Sequence, residues 1–186
     1  MKIRKAILKD FDSIMKIIKD AKDFLKEQGI NQWQNGSPNN EIILEDIKKE
    51  QGYVIVEDQE IIAYMALCFG EDASYHSVYD GDWICPNAIY GTIHRTALTS
   101  DYRGRGIAKL LFLAAEDLCM KESKDSIRID THPDNERMRH LILREGYQPC
   151  GYILLQQDGT KRLVFEKVLR KTEYKDKVSK EFIYDN

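Results

Sequence analysis

The stretch Ala97-Leu98-Thr99-Ser100-Asp101-Tyr102-Arg103-Gly104-Arg105-Gly106-Ile107-Ala108-Lys109-Leu110-Leu111 links two different patterns. A β-rich run ends at Ser100, and an apolar helix pattern begins at Ile107. The first N–H groups of a helix have no helical acceptor, and the helix dipole adds partial positive charge at that end. The stretch therefore predicts a strand, a tight loop and a helix N-terminus suited to phosphate oxygens.

The loop residues favour an anion ligand. Gly104 and Gly106 allow the backbone to approach an anion closely and to reach positive φ. Arg103 and Arg105 add charge-assisted donors. The loop lacks the Gly-Lys-Ser/Thr ending of a P-loop and the third glycine of the dinucleotide fingerprint. The alternative is a plain strand-to-helix turn with solvated arginines.

The hexapeptide of residues 103–108 fits the pattern Arg-x-x-Gly-x-Ala and resembles the acetyl-CoA pyrophosphate loop of the GNAT-type N-acetyltransferases. The resemblance covers approximately residues 1–169. It implies that the amides of residues 104–109 bind the pyrophosphate of an acyl-CoA, with pantetheine beside the preceding strand. The cofactor-binding residues that it implies are Ala97, Leu98, Thr99, Arg103, Gly104, Arg105, Gly106, Ile107, Ala108 and Asn135. For Asn135, helix capping is the simpler role, and both roles are compatible.

The rest of the chain predicts an α+β fold with a mixed, mostly antiparallel central sheet flanked by helices. Its patterns predict one strand, two helices, an antiparallel hairpin, the strand-loop-helix-strand unit, a helix and two closing strands. This is also the order that the GNAT-like, acyl-CoA N-acyltransferase fold implies, with two central parallel strands that splay apart. We expect a single acetyltransferase domain over residues 1–169, followed by a C-terminal tail or short helix over residues 170–186.

Composition limits the setting and the partners. The chain has 186 residues, a net charge of -3 and no broad basic face, which argues against nucleic-acid binding. Its four cysteines, Cys68, Cys85, Cys119 and Cys150, have neither metal-like nor disulfide-framework spacing. No signal peptide and no run of membrane-spanning length is visible, so the expected location is the cytoplasm, away from the membrane.

His94 is the candidate catalytic residue. A histidine with an unperturbed pKa near ~6.5 suits a general base that takes a proton from an amine. Strand alternation places Tyr90, Thr92, His94 and Thr96 on one face of the central strand, and Ile89, Ile93, Arg95 and Ala97 on the other. The alternative for His94 is a buried, hydrogen-bonded histidine without a catalytic role.

The general acid for the leaving thiolate stays open. Many GNAT enzymes have a tyrosine seven residues after the helix asparagine, and here Ile142 occupies that position. Tyr147, Cys150 and Tyr152 lie nearby in sequence, and water or the solvated amine are further sources of the proton.

Two breaker-rich loops carry aromatic and acidic residues that suit a cationic acceptor. We expect Trp33, Tyr79 and Trp83 to bind it by cation–π contacts, with loop packing as the alternative. Asp130 and His132 share a strand face without a defined third ligand, so no metal is expected.

The sequence thus predicts an acetyl-CoA-dependent N-acetyltransferase in which a primary amine attacks the thioester directly, with CoA as a product. The acceptor is a small molecule or a peptide amine, and apolar residues near the C-terminus are compatible with a homodimer. One alternative is a non-catalytic, regulatory acyl-CoA-binding module. Another is a regulator that binds a different nucleotide through the arginine loop.

Overall fold

The computed structural model describes residues 1–169 and the backbone of residues 183–184. The helices are α1 (Phe11–Glu27), α2 (Asn40–Lys48), α3 (Ile107–Lys121) and α4 (Glu136–Arg144). The strands are β1 (Lys2–Lys5), β2 (Gly52–Glu57), β3 (Glu60–Phe69), β4 (Tyr90–Leu98), β5 (Ser126–Thr131), β6 (Gln148–Leu154), β7 (Lys161–Val168) and β8 (Ile183–Tyr184). The α+β prediction is confirmed. The expected tail or short helix over residues 170–186 lies outside the described residues, apart from the two residues of β8.

The strands form one mixed sheet in the order β6-β7-β5-β4-β3-β2-β1-β8. The pairs β4–β5 and β1–β8 are parallel, and every other neighbouring pair of described strands is antiparallel. Helices α1 and α2 cover one face through an apolar cluster that includes Ile14, Ile17 and Ile43. Helix α3 covers the opposite face through Leu111 and Phe112, and Ile142 of α4 joins that cluster.

Strands β4 and β5 separate after a short parallel ladder. The ladder runs from Tyr90 opposite Ser126 to Ile93 opposite Ile129. Beyond this ladder, β4 continues to Leu98 and β5 continues to Thr131, and the two strands do not pair with each other. The sheet therefore opens at its centre, as the resemblance implied, and one side of β4 faces a gap instead of a neighbouring strand.

A β-bulge in β4 lies at the point where this opening begins. Tyr64 of β3 pairs with Ala97, whereas Ala66 pairs with His94, so β4 contributes one extra residue. Arg95 has a φ of 54°, in the left-handed region. Regular alternation predicted Arg95 and Ala97 on the face opposite His94, and this was wrong. Because a bulge shifts the side-chain phase, Ala97 instead joins the cluster under α1 and Arg95 reaches Asp46 of α2.

The long segment between β3 and β4 is held by a buried ion pair. The Arg128 Nε lies 2.9 Å from the Glu166 Oε1, and both side chains are almost fully buried. The Cys85 backbone joins the pair, because its N–H donates to Glu166 and its carbonyl accepts from Arg128. The Arg128 guanidinium also lies between the rings of Trp83 and Tyr90, at 4.0 and 3.9 Å from their centroids. The segment is thus fixed to β5 and β7.

We expect Arg128→Ala to lower the free energy of unfolding by about 3–5 kcal/mol, since it leaves the Glu166 carboxylate buried without its partner. Urea unfolding followed by circular dichroism measures this loss. The control is Lys19→Ala, which breaks a solvent-exposed ion pair with Asp23 and is expected to cost only a small fraction of that loss. Equal losses in the two variants would contradict the structural role of the buried pair.

Candidate active site

The loop before α3 presents backbone amides that have no internal partner. Gly104 and Gly106 have φ values of 77° and 82°, and Gly106 caps the helix. The N–H of Leu110 bonds to the Gly106 carbonyl. Within residues 1–169, no carbonyl accepts from the N–H groups of residues 104 and 106–109. These amides remain available for an anion at the helix N-terminus.

An apolar groove of about 240 Å³ runs from this loop between α1, β4 and α4. Seven residues of the predicted site line it, namely Trp33, Ala97, Leu98, Arg103, Gly104, Ala108 and Asn135. Thr99, Arg105, Gly106 and Ile107 are outside the lining, and Ile107 is buried in the core under α3. Asn135 caps α4 by accepting from the Met138 N–H, and its amide donates to Gln32 at 2.9 Å. Asn135 therefore fixes the wall of the groove as well as the helix.

Two arginines lie at the rim of this apolar groove, and both contact the same aromatic ring. The Arg103 guanidinium lies 4.2 Å from the Phe24 ring centroid and donates to the Asp20 carbonyl. The Arg137 guanidinium lies 5.1 Å from the same centroid. Arg105 instead packs over Tyr102, away from the groove. Sequence analysis missed Arg137, although its position two residues after Asn135 places it in the first turn of α4.

A larger polar cavity of about 600 Å³ adjoins the apolar groove. The two share Gln32, Trp33, Thr96 and Met138 in their linings, so they meet at the opening between β4 and β5. His94 lines the polar cavity two residues before Thr96. A ligand that lies in the groove can therefore meet a second ligand that lies in the cavity.

His94 lies between two carboxylates. Its Nε2 is 3.5 Å from Asp72 Oδ2, and its Nδ1 is 3.9 Å from Asp130 Oδ1. The Tyr75 hydroxyl donates to Asp130 at 2.7 Å and holds that carboxylate in place. Contact with the His94 ring, together with the Ser74 N–H, holds the pKa of Asp72 below its usual value. Sequence analysis did not identify Asp72, which follows β3 in a segment with no periodic pattern.

Arg95 is fully engaged by α2. Its guanidinium makes two hydrogen bonds to Asp46, at 2.7 and 2.6 Å, and Asp46 also accepts from the Tyr64 hydroxyl at 2.7 Å. Asp46 is almost completely buried. This cluster holds the bulge of β4 against α2, which orients the strand on which His94 lies.

The three aromatic residues expected to bind the acceptor separate into two groups. Trp33 lines both the groove and the cavity. Trp83 is buried, stacks on Tyr75 with centroids 5.4 Å apart and donates its indole N–H to the Tyr75 carbonyl. Tyr79 stacks on Tyr152 at 5.3 Å. Neither Tyr79 nor Trp83 lines the two cavities, and the contacts described for these rings are packing contacts.

The nearby groups considered as general acid also lie away from the two cavities. Tyr147 and Ile142 are buried in the cluster under α3, on the face opposite His94. Burial raises the pKa of the Cys150 thiol to about 11. Neither cavity lining contains Tyr147, Cys150 or Tyr152. Among the described residues, no group of three or more His, Cys, Asp or Glu side chains is placed so that it could hold a metal ion, and no helix could cross a membrane.

Comparison with known proteins agrees with this architecture. The family model of the acetyltransferase (GNAT) family matches residues 18–147. An uncharacterized N-acetyltransferase of Bacillus subtilis, YesJ, is 25% identical over 162 residues, which cover 83% of this chain and 88% of that protein. A GNAT-family acetyltransferase from Streptococcus agalactiae of known crystal structure is 34% identical, with a TM-score of 0.82, covering 91% of this chain and 96% of that one.

A more distant solved structure is the PaiA N-acetyltransferase of Thermoplasma acidophilum in complex with coenzyme A. It is 18% identical with a TM-score of 0.65, covers 90% of this chain and 98% of its own, and shows likeness of fold. The match over residues 18–147 and the Streptococcus relative show the family, so the chain belongs to the GNAT acetyltransferases and is an N-acetyltransferase.

Cys68 lines the polar cavity, with its Sγ 3.8 Å from a guanidinium nitrogen of Arg95. Burial raises the pKa of this thiol, which opposes formation of the nucleophilic thiolate. We expect iodoacetamide at pH 8 to alkylate Cys68 more slowly than free cysteine, since a raised pKa lowers the thiolate fraction and burial limits access of the reagent. Peptide mass spectrometry measures the rate, with the partly exposed Cys85 as internal reference. A Cys68 that reacts as fast as free cysteine would contradict this prediction.

Proposed function

We propose that the protein transfers an acetyl group from acetyl-CoA to a primary amine, which attacks the thioester directly. The observation that supports this most is the junction of the two cavities at the opening of the sheet. The apolar groove begins at the anion-binding loop, and it meets a polar cavity that contains His94. Donor and acceptor can thus approach each other from opposite sides of one opening.

The residues of the loop and the groove fit the donor. The amides of residues 104 and 106–109 suit the pyrophosphate oxygens, and a Cβ built at Gly104 or Gly106 would project into open space. Arg103 and Arg137 supply positive charge at the rim. The apolar walls beside Ala97 and Leu98 suit the pantetheine arm. The coenzyme A complex of the Thermoplasma acidophilum protein, which shares the fold, agrees with this proposal.

When bound, acetyl-CoA supplies an activated acetyl thioester. The task of this chain is then to provide a neutral amine, because an alkylammonium, with a pKa near ~10, has no free electron pair. In our proposal, His94 accepts the proton from the incoming amine, directly or through one water. Asp72 and Asp130 orient the imidazole and stabilise the imidazolium that forms. Backbone groups of β4 beyond Ile93 face the opening and are suited to polarise the acetyl carbonyl.

The proton for the leaving thiolate needs another source. Among the described residues that line the groove, none carries a weakly acidic side chain. We therefore assign this proton to solvent. The same observation favours the second candidate function, a regulatory module that binds acyl-CoA without turnover. Cytoplasmic location and a homodimer stay predictions from the sequence.

We expect Gly106→Ala to raise the Kd for coenzyme A at least about tenfold, because a side chain at a φ of 82° costs roughly 1–2 kcal/mol and displaces the loop. Isothermal titration calorimetry measures the Kd. The matched control is Gly159→Ala in the β6–β7 turn, where φ is 69° and a Cβ also meets open space. The Gly159→Ala control should lose a similar amount of folding stability and keep its affinity for coenzyme A. An equal loss of affinity in both variants would remove the loop from the proposal.

We expect His94→Gln to lower kcat at pH 7 by about 10²–10⁴-fold, the usual contribution of a general base. The deficit should shrink towards pH 9, because more of the amine then reaches the site already neutral. Thiol release from acetyl-CoA, followed from pH 6 to 9, measures this profile, and the Kd for coenzyme A should stay unchanged. A pH-independent deficit would indicate a structural role. Full activity would remove His94 from the mechanism, and tight binding of acetyl-CoA by the native protein without turnover of any amine would favour the regulatory module.

A further inference from the structure

The walls of the polar cavity carry an excess of negative charge and several unpaired hydroxyls. From these features we infer that the acceptor is a small linear amine with at least one further positive charge, of the diamine or polyamine class. This inference rests on the proposed function, in which the polar cavity receives the acceptor.

The basic side chains that line the cavity are already neutralised. Arg95 is paired with Asp46 at 2.6 Å, and Lys49 is paired with Glu45 at 3.2 Å. The third, Arg162, lies 3.7 Å from Asp130. None of the three is free to receive an anionic group of the acceptor without losing an existing contact.

Three other carboxylates in the lining have no lysine or arginine within ion-pair distance among the described residues: Glu71, Asp72 and Asp158. Glu71 faces the imidazole of His76, and Asp72 faces that of His94 and accepts a hydrogen bond from the Ser74 N–H. Asp158 accepts hydrogen bonds from Asn35 and from the Thr160 N–H. Contact with His94 lowers the pKa of Asp72, and hydrogen bonds from Thr160 lower that of Asp158, so both are ionised at neutral pH. When the imidazoles are neutral, no lysine or arginine of the described residues forms an ion pair with these three carboxylates, although the charge of Arg162 also helps to lower the pKa of Asp158.

Buried hydroxyls give a second, independent indication of a polar ligand. Thr92 and Thr131 are 1% and 0% exposed, line the cavity and have hydroxyls without a hydrogen-bond partner in the described part of the chain. Thr96, in the lining shared with the groove, also has a buried hydroxyl without a hydrogen-bond partner among the described residues. A buried hydroxyl without a partner is unfavourable, and an N–H-rich ligand would satisfy it. These hydroxyls lie on the two strands that separate, beside His94.

The positions of the carboxylates suggest how such an acceptor would lie. Asp72 is next to His94, where the reacting amine has to be. Asp158 lies at the β6–β7 turn, and Glu71, with a side chain 85% exposed, is at the mouth of the cavity. A linear amine can place one nitrogen beside His94 and a second, charged nitrogen near Asp158 or Glu71. An amino acid would instead bring its carboxylate towards these same groups.

The loop of residues 30–39 narrows access to the cavity. The Asn35 side chain donates to Asp158 at 2.7 Å and links this loop to the β6–β7 turn. Lys22 of α1 donates to the carbonyls of Gly36 and Pro38 and holds the other side of the loop. This bridge favours a slender acceptor over a branched or folded one.

The test compares amines of matched length at saturating acetyl-CoA. The panel contains 1,4-diaminobutane, spermidine, butylamine, 4-aminobutyrate, glucosamine and a short peptide with a free N-terminus. We expect kcat/KM for the diamine or spermidine to exceed that for butylamine by at least about tenfold, with 4-aminobutyrate below butylamine, since a single ionic contact in a partly buried site has about this effect. Raised salt should reduce the preference.

Asp158→Asn is the matched variant, because it removes the charge and keeps the shape. We expect it to raise KM for the diamine about tenfold with little change in kcat, and so to lower the ratio of kcat/KM for the diamine to kcat/KM for butylamine by about the same factor. The control is Asp23→Asn, which removes a carboxylate from the exposed face of α1. This variant should leave kcat/KM for the diamine and for butylamine unchanged.

The outcomes separate the two proposals. If kcat/KM for butylamine, 4-aminobutyrate, glucosamine or the peptide equals or exceeds that for the diamine, the inferred acceptor class is overturned while the transferase function stands. If no amine releases CoA although acetyl-CoA binds, the proposed function fails. Calorimetric titration of spermidine into the CoA-loaded protein then decides the inference alone. Binding that Asp158→Asn weakens about tenfold would support it, and absence of binding would overturn it.

Discussion

The separation of β4 from β5 is the constraint on which the rest of the structure depends. Two parallel strands that share a ladder up to Ile93 and Ile129 would normally continue to pair, because unpaired backbone groups are costly away from water. Here the two strands diverge, and the gap between them becomes the place where the groove and the cavity meet. The fold therefore leaves hydrogen-bonding capacity unused at its centre and makes it available to ligands.

The neighbouring structure keeps this opening in shape. On one side, the extra residue of the bulge changes the phase of β4, and the Arg95–Asp46–Tyr64 cluster fixes the bulge to α2. On the other side, the Arg128–Glu166 pair ties β5 and β7 to the segment that carries Asp72. Separating the partners of such a buried pair leaves an uncompensated charge, so disrupting either arrangement costs considerable free energy. The polar side chains of the site are held by groups that take no part in the reaction we propose.

The polar cavity combines features that are unfavourable for an isolated protein. Thr92 and Thr131 have buried hydroxyls that find no partner in the described part of the chain, and carboxylates of the lining outnumber the cations that neutralise them. Each unsatisfied hydroxyl costs about 1–3 kcal/mol, which well-packed cores avoid. Sites of this kind are where a protein departs from the rules of stable packing, and they are commonly functional.

The sequence alone determined the order of the elements, the α+β class and the loop that opens α3, because these depend on local periodicity and on residues close together in the chain. Gly104 and Gly106 favour positive φ whatever the position of α3 in the fold. Asn135 caps α4 through a hydrogen bond to the backbone three residues further along the chain. His94 could be selected from its place on the strand before the loop.

Only the tertiary structure decided which side chains surround His94. Asp72 and Asp130 come from separate segments, and no sequence period relates them to His94. The bulge at Arg95 reversed the expected face of Ala97, since its position depends on pairing with β3. The packing of Trp83 under Arg128 likewise depends on contacts distant in sequence, so the sequence alone could not place this ring.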